Sequence, residues 1–139
     1  MKITVIGLEP PCPRCERMYV LSRESIDEIG IEIELNKISF DSEAAKKYGK
    51  IGTAHEIAEW SGMQVEWSKI GEIIADGWSK ELDDFLMPCK VTADENGWLM
   101  TPVLVIDDEV VCTGYVPEKE FIQSAINKHL DSGGIQSEN

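Results

Sequence analysis

Hydrophobic and polar positions follow a different pattern in each third of this 139-residue chain. Near the start, the β-branched run "KITVIG" predicts a buried strand that closes at a glycine. From Cys15 onward, apolar residues recur at helical spacing, and Gly30 supplies a typical helix stop. Residues 31–38 then alternate apolar and polar side chains, which predicts a half-buried strand. The first forty residues therefore predict the order β-α-β.

The last third of the chain predicts the order β-β-α. "VLVI" reads as a strand, "DDE" as a tight turn, and "VVCTG" as a second, antiparallel strand. Pro117 is expected to open a helix, with Glu118 and Glu120 near its positive end. The buried stripe of this helix is expected to contain Phe121, Ile122, Ala125, Ile126 and Leu130. The polar tail at 131–139 is expected to be disordered.

The middle block, about residues 42–97, predicts helices only. "SEAAKKYG" and "TAHEIAEWSG" indicate short helices, and residues 66–87 indicate one long amphipathic segment. Its expected apolar face consists of Trp67, Ile70, Ile74, Trp78, Leu82 and Phe85. Gly71 and Gly77 each disfavour a helix by about 1 kcal/mol, so two helices are an open alternative. The four tryptophans, at 60, 67, 78 and 98, form either the core of this insertion or a docking face for a partner.

Together these patterns predict a single α/β domain over 1–130, with a helical insertion between the two halves of its sheet. The net charge is −13, with 26 acidic and 13 basic side chains, and such a surface repels the phosphates of nucleic acids. No apolar run approaches the roughly 18 residues that span a bilayer, and the first apolar run is too short for a signal peptide. We therefore expect a cytoplasmic protein that binds neither nucleic acid nor membrane.

A pair of cysteines, Cys12 and Cys15, stands in the connection between the first strand and the first helix. In a reducing compartment, such a close pair is more often catalytic or metal-binding than structural. On its own this spacing is a weak signal. A Thr-Pro dipeptide, Thr101-Pro102, stands immediately before the third strand of the predicted sheet. A proline there is tolerated as the first residue of a strand, because it removes no interior ladder donor.

The motifs "CPRC" and "MTPVLVIDDEVVCTGYVP", in this element order, resemble those of thioredoxin-fold proteins. The resemblance is closest to small thioredoxin/glutaredoxin-like redox-active disulfide proteins, and it covers residues 1–40 and 98–130. It implies a cis bond before Pro102, with that proline lying against the cysteine pair. It also implies that Thr101 offers its backbone groups to a substrate chain, which would bind as an added strand.

The activity that this resemblance implies is thiol-disulfide exchange, with a redox-active disulfide and no further cofactor. Cys12 would be the nucleophile, because a thiol at a helix N-terminus has a lowered pKa, and Arg14 would add a positive charge beside it. Pro13 would hold the start of the helix in shape. Cys15, one turn later, would be the resolving thiol. The expected partners are a disulfide-bearing protein or small molecule and a reductant.

The remaining cysteines leave alternatives open. Cys112 is expected to be a small buried residue of the fourth strand, whereas Cys89 follows a proline in an expected loop and is either packed or a third redox-active thiol. A disulfide between these two residues is a further alternative. So is a zinc or iron–sulfur site built from Cys12, Cys15, Cys89 and Cys112. The alternative to an enzyme is a non-enzymatic thioredoxin-fold module, which would be either metal-binding or a redox-sensing adaptor whose insertion binds a protein. Asp83 and Asp84 are expected on a solvated helix face.

Overall fold

The computed structural model describes residues 1–8, 13–74 and 77–137, and six strands and six α-helices lie within these ranges. The strands are β1 (Lys2–Gly7), β2 (Glu34–Ser39), β3 (Ile51–Gly52), β4 (Leu99–Met100), β5 (Val103–Ile106) and β6 (Glu109–Thr113). The helices are α1 (Pro13–Ile29), α2 (Glu43–Lys46), α3 (Ala54–Ser61), α4 (Ile70–Ile73), α5 (Lys80–Asn96) and α6 (Lys119–Ser137). A 3₁₀ turn, Trp67–Lys69, leads into α4. None of the helices in these ranges is both long and apolar enough to cross a bilayer.

The main sheet has four strands in the order β2-β1-β5-β6. β1 and β2 are parallel, whereas β5 runs antiparallel to both β1 and β6. The α1 crossover links the parallel pair, and a two-residue turn links β5 to β6. The predicted α/β class, with β-α-β followed by β-β-α, is confirmed.

Both faces of the central strands are covered, which explains their unbroken apolar sequences. On one face, residues of β1 and β5 such as Ile3 and Ile106 form a single cluster with apolar residues of α1 and α6. On the other face, Ile6 and Val103 pack with Ala45 of α2. Alternate residues of a strand point to opposite faces of the sheet, so a strand that is covered on both sides carries apolar residues at successive positions.

The turn between β5 and β6 confirms the expected tight hairpin. Asp107 and Asp108 have φ values of 47° and 68°, as a two-residue type I′ turn requires. Aspartate tolerates this left-handed conformation better than most residues do. The N–H of Asp107 also donates to the carbonyl of Lys2 at 2.9 Å, which ties the turn to β1.

Three boundaries differ from those that the sequence predicts. The second strand begins at Glu34, and Ile31 is 41% exposed because the chain is still turning after the end of α1. α6 begins two residues after Pro117, and Phe121 is 42% exposed, so it does not belong to the buried stripe. α6 also continues to Ser137, past the predicted end of the domain. Disorder over 131–139 stays a prediction.

The insertion begins with the two short helices that the sequence predicts. α3 starts with a capping box, in which the Thr53 hydroxyl accepts from the Glu56 N–H and the Glu56 carboxylate accepts from the Thr53 N–H. A second, two-stranded parallel sheet joins β3 to β4. The core of the insertion lies around Ile57, Leu82, Leu86, Cys89, Ala93 and Met100.

The long amphipathic segment does not form a single face. It divides into α4 and α5, and Trp78, between them, packs on the main sheet cluster rather than with the insertion core. Trp60, Trp67 and Trp98 pack partly buried on the insertion core. All four tryptophans therefore take part in internal packing, and partner docking on them stays a prediction.

The prediction of a loop around Cys89 is wrong. Pro88 and Cys89 both lie inside α5, which continues to Asn96 and ends at Gly97. A proline in a helix interior removes one backbone hydrogen bond, which is why its presence favoured a loop. The packing of the C-terminal half of α5 against the insertion core and β4 keeps the helix intact.

Candidate functional site

The described part of the cysteine motif, Pro13–Cys15, forms the start of α1, the helix that follows β1. Cys12 lies outside the described residues, as do the three residues before it. Pro13 is the first residue of α1, and Cys15 lies in its first turn with 1% of its surface exposed. The role of Cys15 as the resolving thiol stays a prediction.

Gly7, the last residue of β1, makes room for Cys15. A Cβ at position 7 would lie 2.5 Å from the sulfur of Cys15 and 2.8 Å from its Cβ. No side chain fits at that distance, so a glycine is required where the strand passes the first turn of α1. In the sequence this glycine reads only as the end of a strand.

Arg14, between the two cysteines, is buried with 4% exposure. Its Nε donates to Oδ1 of Asp83 at 2.9 Å, and its Nη2 donates to the carbonyl of Gly114. Arg14 is therefore paired within the protein, and the expectation that it adds a nearby positive charge favouring the Cys12 thiolate stays a prediction. Its charge is compensated by a buried carboxylate, so the field that it exerts on nearby thiols is much weaker than that of an unpaired arginine.

Asp83 is the partner that sequence reasoning missed. It is 6% exposed, and its Oδ2 accepts from the indole N–H of Trp78 and the backbone N–H of Val116, both at 3.0 Å. The expectation of a solvated face holds for Asp84, which pairs with Lys80 at the surface, but is wrong for Asp83. A signal was present in the helical spacing, since Asp83 precedes the buried Leu86 by three residues.

The dipeptide before β5 lies close to the arginine of the motif. The Thr101–Pro102 bond is cis, and both residues are buried. The carbonyl of Pro102 accepts from the N–H of Gly114 at 3.0 Å, and the carbonyl of Gly114 accepts from Arg14. The backbone of Gly114 therefore connects Arg14 of the motif to Pro102 by two hydrogen bonds, although the two residues stand almost ninety positions apart in the sequence.

The backbone N–H of Thr101 is already bonded within the protein. It donates to the carbonyl of Gly52 at 3.0 Å, and the residue is 2% exposed. The acceptor belongs to β3 of the insertion, a two-residue strand whose alternation is too short to be recognised in the sequence. The expectation that Thr101 offers backbone groups to a substrate chain therefore does not hold for its N–H, and for its carbonyl it stays a prediction.

The other two cysteines are separate buried thiols, not a disulfide. Burial raises the pKa of Cys112 from 9.0 to about 11, although a hydrogen bond with the Tyr115 side chain opposes that shift. The Cys112 thiol also donates to the Tyr115 carbonyl at 3.6 Å. Burial also raises the pKa of Cys89, and the nearby charge of Arg14 opposes that shift. Neither environment activates a thiolate.

Within the described ranges, no group of three histidine, cysteine or acidic side chains is placed to hold a metal ion. The four-cysteine site that the sequence leaves open includes Cys12, which lies outside those ranges.

An open groove of about 350 Å³ runs beside the start of α1. Its lining residues are Pro13, Glu16, Arg17, Val20, Gly77 and Trp78. The guanidinium carbon of Arg17 lies 5.5 Å from the centroid of the Trp78 ring, within cation–π range. Trp78 therefore serves two neighbouring features, because it lines this groove and also donates to Asp83.

Comparison with known proteins supports the architecture. A family model described as a thioredoxin domain matches residues 88–127, from the second half of α5 to the first half of α6. This range contains Thr101 and Pro102 but not the cysteine motif. No curated protein matches the chain, and no solved structure does. The sheet order and the α1 crossover are those of a thioredoxin-like α/β fold, and the match over residues 88–127 agrees with that fold.

Proposed function

We propose that this protein is a thiol-disulfide oxidoreductase that acts through Cys12 and Cys15. The cysteine thiolate of Cys12 attacks one sulfur of a substrate disulfide, and the other substrate sulfur leaves as a thiolate that takes up a proton. Cys15 then loses its proton and attacks the sulfur of Cys12, which releases the second substrate thiol. Two electrons pass to the substrate, and a dithiol reductant returns the oxidised pair to its starting state.

The contact that best supports this proposal joins the motif to Pro102 through Gly114. Arg14 donates to the Gly114 carbonyl, and Gly114 donates to the Pro102 carbonyl. A fixed scaffold around the motif is what a reacting sulfur needs, because attack on a disulfide demands a narrow range of positions. Cys12 directly precedes the first residue of α1, so the unpaired N–H groups of that helix are expected to stabilise its thiolate.

The proposal is tested by reduction of a small disulfide, such as cystine, with dithiothreitol as the reductant. We expect Cys12→Ser to lose the activity, falling to the rate of the uncatalysed exchange. Cys15→Ser should stop turnover and accumulate a mixed disulfide at Cys12, detectable by mass spectrometry. Cys112→Ala serves as the control that removes a thiol from outside the motif, and it should retain the activity.

Two results would count against this function. Equal rates of disulfide reduction by the wild type and by Cys12→Ser would show that Cys12 is not the nucleophile. Near-stoichiometric zinc or iron in protein purified without oxygen would favour a non-enzymatic metal-binding module instead. The pKa of Cys12, measured by alkylation across pH, should lie below the roughly 8.5 of an ordinary thiol.

A further inference from the structure

The segment that leads to Pro102 is already paired along one edge. Leu99 donates to the carbonyl of Lys50 at 2.8 Å, and Thr101 donates to the carbonyl of Gly52 at 3.0 Å. β3 therefore runs alongside β4, and its pairing with this segment continues to Thr101, the residue before the proline. An extended polypeptide that binds by strand addition needs unpaired N–H and C=O groups on an exposed edge. At Thr101 the N–H donor is engaged.

We propose that the substrates are low-molecular-weight disulfides of the amino-acid type rather than extended polypeptides. This inference rests on the proposed function, since it names the substrate of the same cysteine pair. With the Thr101 N–H bonded to β3, a polypeptide substrate would find no main-chain donor at that residue, whereas a small disulfide does not require one.

The groove beside α1 offers a place for such a molecule. Its volume of about 350 Å³ is at the lower end of the range that holds small ligands. Its lining includes one acidic side chain, Glu16, and one basic side chain, Arg17. Their charges complement the ammonium and carboxylate groups of an amino acid. The groove includes Pro13, the neighbour of Cys12 in the chain, so a disulfide bound there is near the motif.

A substitution of Gly52 by alanine adds one methyl group to β3 and is expected to disturb its packing. A Cβ at Gly52 would lie 2.6 Å from Cη2 and 2.9 Å from Cζ3 of Trp60. Gly52→Ala therefore has to displace either the strand or the indole ring. Gly71→Ala is the matched control, because the same change in α4 meets no atom within 4 Å.

The experiment compares kcat/KM for cystine and for insulin in the wild type and both glycine variants, with dithiothreitol as the reductant. Each cystine that is reduced yields two cysteines and one Cys12–Cys15 disulfide, which dithiothreitol then reduces. We expect the wild type to favour cystine, and Gly52→Ala to raise the insulin-to-cystine ratio about tenfold, the effect of regaining one or two hydrogen bonds. Gly71→Ala should leave the ratio unchanged.

A wild type that reduces insulin as efficiently as cystine overturns the inference while the proposed function stands. A folded Gly52→Ala variant in which the Thr101 amide exchanges rapidly while the ratio stays unchanged overturns it too. Loss of reduction with every substrate and variant would instead defeat the proposed function, and this inference with it.

A second measurement needs no variant and covers the case in which Gly52→Ala does not fold. Hydrogen exchange of the Thr101 amide in the reduced wild-type protein should be as slow as that of Leu99. Exchange at the rate of an exposed amide would mean that the edge is open, and would overturn the inference.

Discussion

The four-stranded sheet and the helical insertion achieve burial by different means. In the sheet region, aliphatic residues such as Ile3, Leu104 and Ile122 are fully buried between strands and long helices. In the insertion, the short helices α3 and α4 pack with the longer α5 around a small core, and its tryptophans remain partly exposed at the margin. Short helices gain little stability by themselves, so α3 and α4 depend on their packing against α5.

Asp83 carries the main polar connection between these two regions. It stands on α5 of the insertion, yet it binds Arg14 at the start of α1 and Val116 after β6. The arginine of the cysteine motif is therefore neutralised by the insertion and not by the sheet domain to which it belongs. Because Asp83 belongs to the insertion, the insertion is a structural part of the candidate site.

The largest expected effect comes from breaking this connection. Asp83→Ala leaves the guanidinium of Arg14 buried without its carboxylate, so the free energy of unfolding should fall by about 3–5 kcal/mol in urea titrations. Asp84→Ala is the adjacent control, and its exposed pair with Lys80 should contribute less than about 0.5 kcal/mol. Equal losses at the two positions would contradict the role given to Asp83. The double variant Arg14→Met, Asp83→Leu should lose less than Asp83→Ala, because no charge then stays buried alone.

Truncation of one fully buried isoleucine in each region tests whether they unfold together. Ile106→Ala in β5 and Ile57→Ala in α3 should each lower the free energy of unfolding by about 2–5 kcal/mol. We expect one cooperative transition in both variants when helical content and tryptophan fluorescence are followed together. A separate early transition in Ile57→Ala, with the midpoint of the sheet unchanged, would show the insertion to be an independent unit.

The buried thiol of β6 should make stability depend on alkaline pH. The folded pKa of Cys112 is about 11, raised by burial from 9.0, so the neutral thiol is favoured by folding. Its contribution is fully present below pH 9 and is lost as the pH rises through 11, and the total loss amounts to about 2–3 kcal/mol. The measurement is the pH dependence of unfolding in the wild type and in Cys112→Ala, with Val111→Ala as a truncation control on the same strand. The same alkaline slope in wild type and Cys112→Ala would disprove this assignment.

The smallest expected effect concerns the start of α3. Thr53→Ala removes the hydroxyl that accepts from the Glu56 N–H, and should lower the free energy of unfolding by about 1 kcal/mol. Thr53→Ser keeps that acceptor and should stay close to the wild type. An unchanged midpoint for Thr53→Ala in urea would mean that the α3 cap does not contribute to global stability.

Sequence reasoning recovered the parts of the fold whose patterns are local. The β1 strand, the α1 helix with its stop at Gly30 and the hairpin at Asp107 all follow from neighbouring residues. The capping box at Thr53 was equally legible in principle, because it needs only two residues at a fixed spacing. The loop expected at Cys89 failed because the rule for proline is also local, whereas the packing that retains the helix is not.

The candidate site was only half predictable. The spacing of Cys15 from Cys12 and the dipeptide at Thr101 identified the motif and its counterpart. The partner of Arg14 was not identified, because it lies 69 positions away in the chain on a helix whose surface looked solvated. The pairing of Thr101 with Gly52 was missed for a similar reason, since a two-residue strand carries no periodicity.

Which residues can react, and which segments can form strands and helices, follows from side-chain chemistry and from neighbours a few positions away along the chain. The neutralisation of Arg14 by Asp83 and the bond from the Thr101 N–H to β3 arise only when the chain is folded. Both contacts join residues about fifty to seventy positions apart, and burial gives them their strength by excluding water. No local pattern contains that information.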